Sequence, residues 1–169
     1  MHLRYFAYSS NMSIRRLRAR TPSARRLGSG WLQGHRLAFH KVGRFDGSAK
    51  CDALATGDPG HRVHGVLFEL AGEDKPALDQ AEGLGTGYAL KQVLVHHHGG
   101  PAVAAFTYVA TLTAPGLRPF DWYKEHVLRG ARENDLPADY IRHIEAVAAD
   151  PDPELARRLR ELAVYRDDS

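Results

Sequence analysis

The chain has 169 residues, 43% of them hydrophobic and 25% charged, a balance that suits one globular domain over 1–169 with a real core. No stretch approaches the roughly 20 consecutive apolar residues of a membrane span, and no apolar run near the N-terminus reads as a secretory signal. A single cysteine, Cys51, excludes an intrachain disulfide and fits a reducing cytoplasm, and the net charge of +3 is only a mild basic bias.

Residues 2–8 alternate as a strand, and the small polar residues behind them place Ser10 or Asn11 at the cap of a helix. That helix turns Met12, Ile14 and Leu17 inward and ends before Pro22, which restricts the residue preceding it. The segments "IRRLRAR" and "SARRLGSG" gather Arg15, Arg16, Arg18, Arg20, Arg25 and Arg26. Such a cluster suits phosphate contacts, but no aromatics are interleaved for stacking. A solvated arginine face is therefore the default, and nucleic acid is not the expected partner. "WLQGHRLAFHKV" then reads as a strand with Leu37 and Phe39 on one face. "GRFDGSAKCDALATGDPG" is turn-rich around a short strand "CDALAT", and "HRVHGVLFEL" is a further strand ending in an apolar run.

"AGEDKPALDQAEG" switches to helical period, with Leu78 and Ala81 inward and Gly83 as the stop. "YALKQVLVHHH" and "AVAAFTYVATL" flank "GGP" as a hairpin. Past Pro119 the chain is helical through "DWYKEHVLRGARENDLP", "ADYIRHIEAVAA" and "PELARRLRELAV". Strands with short interleaved helices, followed by helices, predict an α+β fold. Its sheet is small, mixed, mostly antiparallel and barrel-like, with flanking helices and a helical C-terminal part.

The phosphate-loop, dinucleotide, zinc-peptidase, CxxC and serine-hydrolase motifs are absent, so those chemistries lose their usual support. Cys51 has no partner motif and reads as structural. His96 and His98 share a strand face at i, i+2, a spacing two imidazoles on one ion can use. The triplet runs into a Gly-Gly-Pro turn, however, where polar residues belong anyway, so a solvated strand end is preferred and no metal is expected. Glu82 stands one i, i+4 step from Leu78 and so follows the apolar face of its helix. A carboxylate among apolar side chains has its charged form disfavoured, which suits a general base. Pattern alone leaves that role open beside a helix-end carboxylate turned to water or paired with an arginine.

Six short motifs, "YFAYSSNM", "VHGVLFEL", "LDQAEG" followed by Tyr88, "FTYVAT", "WYK" and "GARENDLPADYI", occur in this order from about Tyr5 to Ile144. Together they resemble the γ-glutamylcyclotransferase family, in the branch distinct from the glutathione-specific enzymes. The resemblance implies a compact mixed fold with a small closed sheet, no metal or organic cofactor, and a small-molecule γ-glutamyl substrate. It maps the family's catalytic glutamate to Glu82 and its substrate-contacting tyrosine to Tyr123. It also implies substrate binding by Tyr5, Phe6, Ala7, Tyr8, Ser9, Ser10 and Asn11, with Tyr88 and Tyr108 as further pocket tyrosines. In the family the loop after the first strand reads Tyr-Gly-Ser-Asn, and its amides bind substrate oxygens. Successive N–H groups there form a nest for a carboxylate or a developing oxyanion, and sequence does not choose between the two. Ser9 departs from the family glycine, adding a Cβ and a hydroxyl that bear on substrate choice.

The activity so implied is release of 5-oxoproline, as the substrate's α-amine attacks its own γ-carbonyl and expels the second amine. It is a cyclotransferase reaction of acyltransferase or lyase type. Two alternatives stand beside it. One is the same chemistry on another γ-glutamyl amide (a polyamine, a protein side chain or a biosynthetic amide), and the other is a non-catalytic module that binds a small molecule.

Overall fold

The computed structural model describes residues 1–166, so the last positions of the expected domain, 167–169, lie outside the described residues. Among the described residues seven extended segments form strands. They are β1 (His2–Ala7), β2 (Arg25–Gln33), β3 (His35–Val42), β4 (Ala49–Ala55), β5 (Arg62–Ala71), β6 (Tyr88–His97) and β7 (Gly100–Ala110). A closed barrel forms in the order β1-β5-β2-β6-β7, while β3 and β4 pair as a separate hairpin. The barrel's pairings are antiparallel except for β1 with β7, which meet in parallel at Tyr5 and Phe106. Phe6, Phe68, Leu70, Val63 and Val66 are fully buried in the core. Each such side chain contributes about 1.5–3 kcal/mol relative to exposure.

The helices are α1 (Ile14–Arg18), α2 (Lys75–Glu82), α3 (Asp121–Glu133), α4 (Ala138–Glu145) and α5 (Leu155–Leu162). Among the described residues, no helix is long and apolar enough to cross a membrane. Gly130 of α3 lets that helix press against the loop after β1. A Cβ there would sit 2.5 Å from Met12 Cβ and 2.8 Å from the Ser13 amide nitrogen. Asn134, just past α3, adds a hydrogen bond from Nδ2 to Met12 O at 3.1 Å. These contacts fix where Ser9–Met12 face.

Four local expectations are corrected. The strand foreseen in "WLQGHRLAFHKV" is two strands, because Gly34 adopts φ +70 and turns the chain. The helix foreseen from Ser10 is a 3₁₀ turn, Ser10–Met12, followed by α1 with Ser13 at its N-cap. Asn11 does not cap it, because its side chain is engaged by Glu82 and Arg20. Ala81 is exposed although Leu78, three positions earlier, is buried. The arginines do not share one solvated face. Arg16 pairs with Glu161, Arg20 with Glu82, and Arg25 with Glu69, while Arg26 donates to Asn134 Oδ1.

Candidate active site

The end of β1, the end of α2, the β3–β4 hairpin and α3 surround a cavity of about 200 Å³. Ser9, Ser10, Lys41, Glu82, Tyr88 and Tyr123 form part of its wall. Helix α2 stops directly behind Glu82 because Gly83 takes φ 71, a left-handed cap that leaves the carboxylate on the last turn. Asn11 Nδ2 donates to Glu82 Oε1 at 2.6 Å, and Arg20 Nη1 lies 3.6 Å from the same oxygen. Arg20 Nη1 also donates to Asn11 Oδ1 at 2.9 Å, closing a three-residue network. The Glu82 side chain keeps 11% exposure, and its surroundings are polar and cationic rather than apolar as its helix pattern implied. The difference arises because the last turn of α2 faces the polar loop after β1, which its own periodicity does not report.

In that loop the Met12 amide closes onto Ser9 O at 3.1 Å. The amides of Ser9 and Ser10 precede this bond and have no protein acceptor among the described residues. Ser9 has φ −125 and ψ −138, so its φ lies outside the left-handed region that favours glycine.

Two pocket tyrosines are fixed by one residue of β4. The Cys51 amide donates to Tyr123 Oη at 2.9 Å, and Tyr88 Oη donates to the Cys51 carbonyl at 2.6 Å. Burial holds both phenols well above their ordinary pKa, so they stay protonated. Burial likewise pushes the Cys51 thiol up to about 12, which suits a structural cysteine.

Of the other sequence-derived residues, Tyr5, Phe6, Ala7, Tyr8, Asn11 and Tyr108 do not line this cavity. Phe6 and Ala7 are fully buried in the core. Tyr5 Oη accepts from Asn11 Nδ2 at 3.3 Å, and its ring stacks on Phe106. Tyr8 Oη donates to Tyr108 O at 2.5 Å, and Tyr108 Oη donates to Asp79 Oδ1 at 2.6 Å. Closing the barrel draws these side chains inward. They brace the wall, and Asn11 reaches the site through Glu82.

The motifs gave no sign of the wall's charge. Arg16, Arg20, Lys41, Arg44, Lys50 and Arg157 face Asp46, Glu82 and Glu161, six cations against three carboxylates. They come from α1 and the turn behind it, from the β3–β4 hairpin, from α2 and from α5, so no single window of sequence displays them. The histidine triplet stands apart from this cavity. His96 and His98 pack on Trp31 with ring centroids 6.0 and 5.0 Å away. Among the described residues, no group of three or more His, Cys, Asp or Glu is placed to hold a metal.

Comparison with known proteins points to one family and one fold. Residues 62–144 match the AIG2-like family. A human protein named gamma-glutamylcyclotransferase is 31% identical over 146 residues, which cover 85% of this chain and 77% of the human one. Its mouse counterpart of the same name is 32% identical over 149 residues, with the same shares covered. A solved structure named gamma-glutamyl cyclotransferase superposes with a TM-score of 0.82, covering 95% of this chain and 99% of that one. At 24% identity that is a likeness of fold. A crystal structure of a human protein without assigned function gives 0.80 at 25% identity, covering 94% of this chain and 98% of that one.

Proposed function

This chain belongs to the γ-glutamylcyclotransferase family, and from that premise we propose that it releases 5-oxoproline from γ-glutamyl amino acids, with Glu82 as the proton carrier. The observation that carries the reading is the state of the Glu82 carboxylate. Asn11 and Arg20 both engage Oε1, which leaves Oε2 to work on the substrate.

The substrate arrives with its α-amine protonated, and only the free amine is a nucleophile. Glu82 takes that proton, the nitrogen attacks the γ-carbonyl, and a five-membered ring closes. The new C–N bond forms and the old one breaks, Glu82 delivers its proton to the departing nitrogen, and the second proton that the attacking nitrogen sheds passes through the same carboxylate, leaving a lactam N–H and a protonated free amine. Both reacting groups belong to one molecule, so the protein's main task is to fold the substrate into attack geometry. The amides of Ser9 and Ser10 are suited to substrate oxygens. Tyr123, protonated and lining the cavity, is suited to donate its O–H to an oxygen that gains charge.

The excess of cations around the cavity supports a substrate carrying carboxylates. It disfavours a polyamine leaving group, whose charges those side chains would repel. The test is direct: incubate the protein with γ-glutamyl-alanine and measure 5-oxoproline and free alanine, with the N-acetyl substrate as control. Stoichiometric release from the first and none from the second is expected. No 5-oxoproline from a panel of γ-glutamyl amino acids overturns the proposal.

A further inference from the structure

Lys41 is the one lysine of the cavity wall without a carboxylate partner among the described residues. It is only 4% exposed, yet its ammonium makes no ion pair. Lys50, directly opposite it in the β3–β4 register, is engaged by both oxygens of Asp46 at 3.1 and 3.0 Å. Asp46 is otherwise occupied by the Ser48 amide and hydroxyl, and Glu161 is taken by Arg16. Lys41 is left with the face of Tyr88, 4.5 Å from the ring centroid.

Two features of the backbone hold it there, against the repulsion of Lys50. The β3–β4 register shifts between Phe39 and Lys41, a bulge that re-aims the side chain. Two lysines directly opposite on a ladder repel each other, an arrangement that costs stability. Gly87 makes room, since a Cβ there would meet Lys41 Cε at 2.8 Å and Nζ at 3.0 Å. Burial lowers the lysine's pKa, and the nearby charge of Glu82 opposes that. A buried ammonium with no carboxylate in contact gains from an anion on the cavity wall that offsets its desolvation.

We propose that Lys41 binds the carboxylate of the substrate's leaving half and is the residue by which this enzyme selects γ-glutamyl amino acids over γ-glutamyl amines. The proposal rests on the cyclotransferase reading. The glutamyl half carries its α-carboxylate on the carbon that bears the reacting amine, so that carboxylate belongs beside Glu82, where Arg20 already stands. A second carboxylate, beyond the scissile bond, requires a second cation on a different element. Lys41 supplies it from β3, with Arg44 and Lys50 adding positive field around it.

The test compares γ-glutamyl-alanine with γ-glutamyl-ethylamine, its analogue without the leaving-half carboxylate, in wild type, Lys41→Met and Lys41→Arg. Wild type is expected to favour the alanine substrate in kcat/KM by about 30-fold or more, since a charge-assisted contact is made with one substrate only. Lys41→Met should bring that ratio to within about threefold, and Lys41→Arg should restore part of it. Removing a like-charge neighbour of Lys50 should leave the Lys41→Met melting temperature at or above that of wild type, which separates selectivity from folding. An unchanged ratio, or an equal loss on both substrates, overturns the assignment. If wild type releases 5-oxoproline from neither compound nor from other γ-glutamyl amino acids, the cyclotransferase reading falls and takes this inference with it.

Discussion

Asn11 Nδ2 donates to Glu82 Oε1 at 2.6 Å across 71 positions of sequence, and this one hydrogen bond joins the loop after β1 to the end of α2. Arg20 completes the triangle by reaching both residues. One carboxylate oxygen is held and the other is left to act. Neither segment fixes the orientation of Glu82 alone.

Replacing Glu82 with Gln keeps size and hydrogen bonding but removes proton transfer. Turnover should fall on the order of 10²–10⁴-fold while ligand affinity largely persists. Steady-state kinetics with a direct binding measurement checks this, and near-normal turnover in the variant would sink the general-base role.

Asn11→Ala frees Glu82 Oε1 and removes a bridge to Tyr5. A misplaced base costs rate more than binding, so kcat should fall about 10- to 100-fold with a smaller change in KM. A change confined to KM would show that Asn11 contacts substrate and does not orient the base.

Ser9 lines the cavity with a negative φ, outside the left-handed region that favours glycine. Ser9→Gly should widen the range of leaving amines and leave 5-oxoproline formation intact. A panel of γ-glutamyl amino acids with small, unbranched and branched leaving groups reads this out. No change in rate or range would make the departure from the family loop neutral.

Gly87→Ala should shift substrate preference in the direction of Lys41→Met, because the added methyl occupies the path of the lysine side chain. Its φ of 151 adds strain for any side chain, so a lower melting temperature is expected as well. Full retention of the amino-acid preference would show that Lys41 reaches its position without the space Gly87 provides.

His126 is fully buried, hydrogen-bonded through Nδ1 to Tyr165 Oη at 2.7 Å, and close to Glu161, Arg16 and Arg20. Burial lowers its pKa from 6.5 to about 4. Between those values the unfolded chain binds the additional proton, so this contribution to stability is present above about 6.5 and lost as pH falls toward 4. The expected loss between pH 7 and pH 5 is about 2 kcal/mol from this group. Urea unfolding at both pH values should show His126→Gln losing less than wild type by about that amount. Equal losses would place the titration elsewhere.

By itself the sequence determined the kinds of element and the identity of the family. Alternation marked β1, an apolar run marked β5, segments flanking Gly-Gly-Pro marked the β6–β7 hairpin, and helical period with Gly83 marked α2, because these signals are local and set by backbone geometry. Ser9, Ser10, Glu82, Tyr88 and Tyr123 were legible through short motifs, and the structure brings them to one cavity. Tertiary structure alone decided the rest. Barrel closure drew Tyr5, Phe6, Ala7, Tyr8 and Tyr108 behind the wall, since a strand's alternation shows that a face is buried and not what it is buried against. Arg20, Lys41 and Arg157 reached the site from three separate elements, and an isolated cation in sequence looks the same whether it meets water, a carboxylate or a substrate. Charge acts through space, so only the folded chain assembles the field in which Glu82 sits.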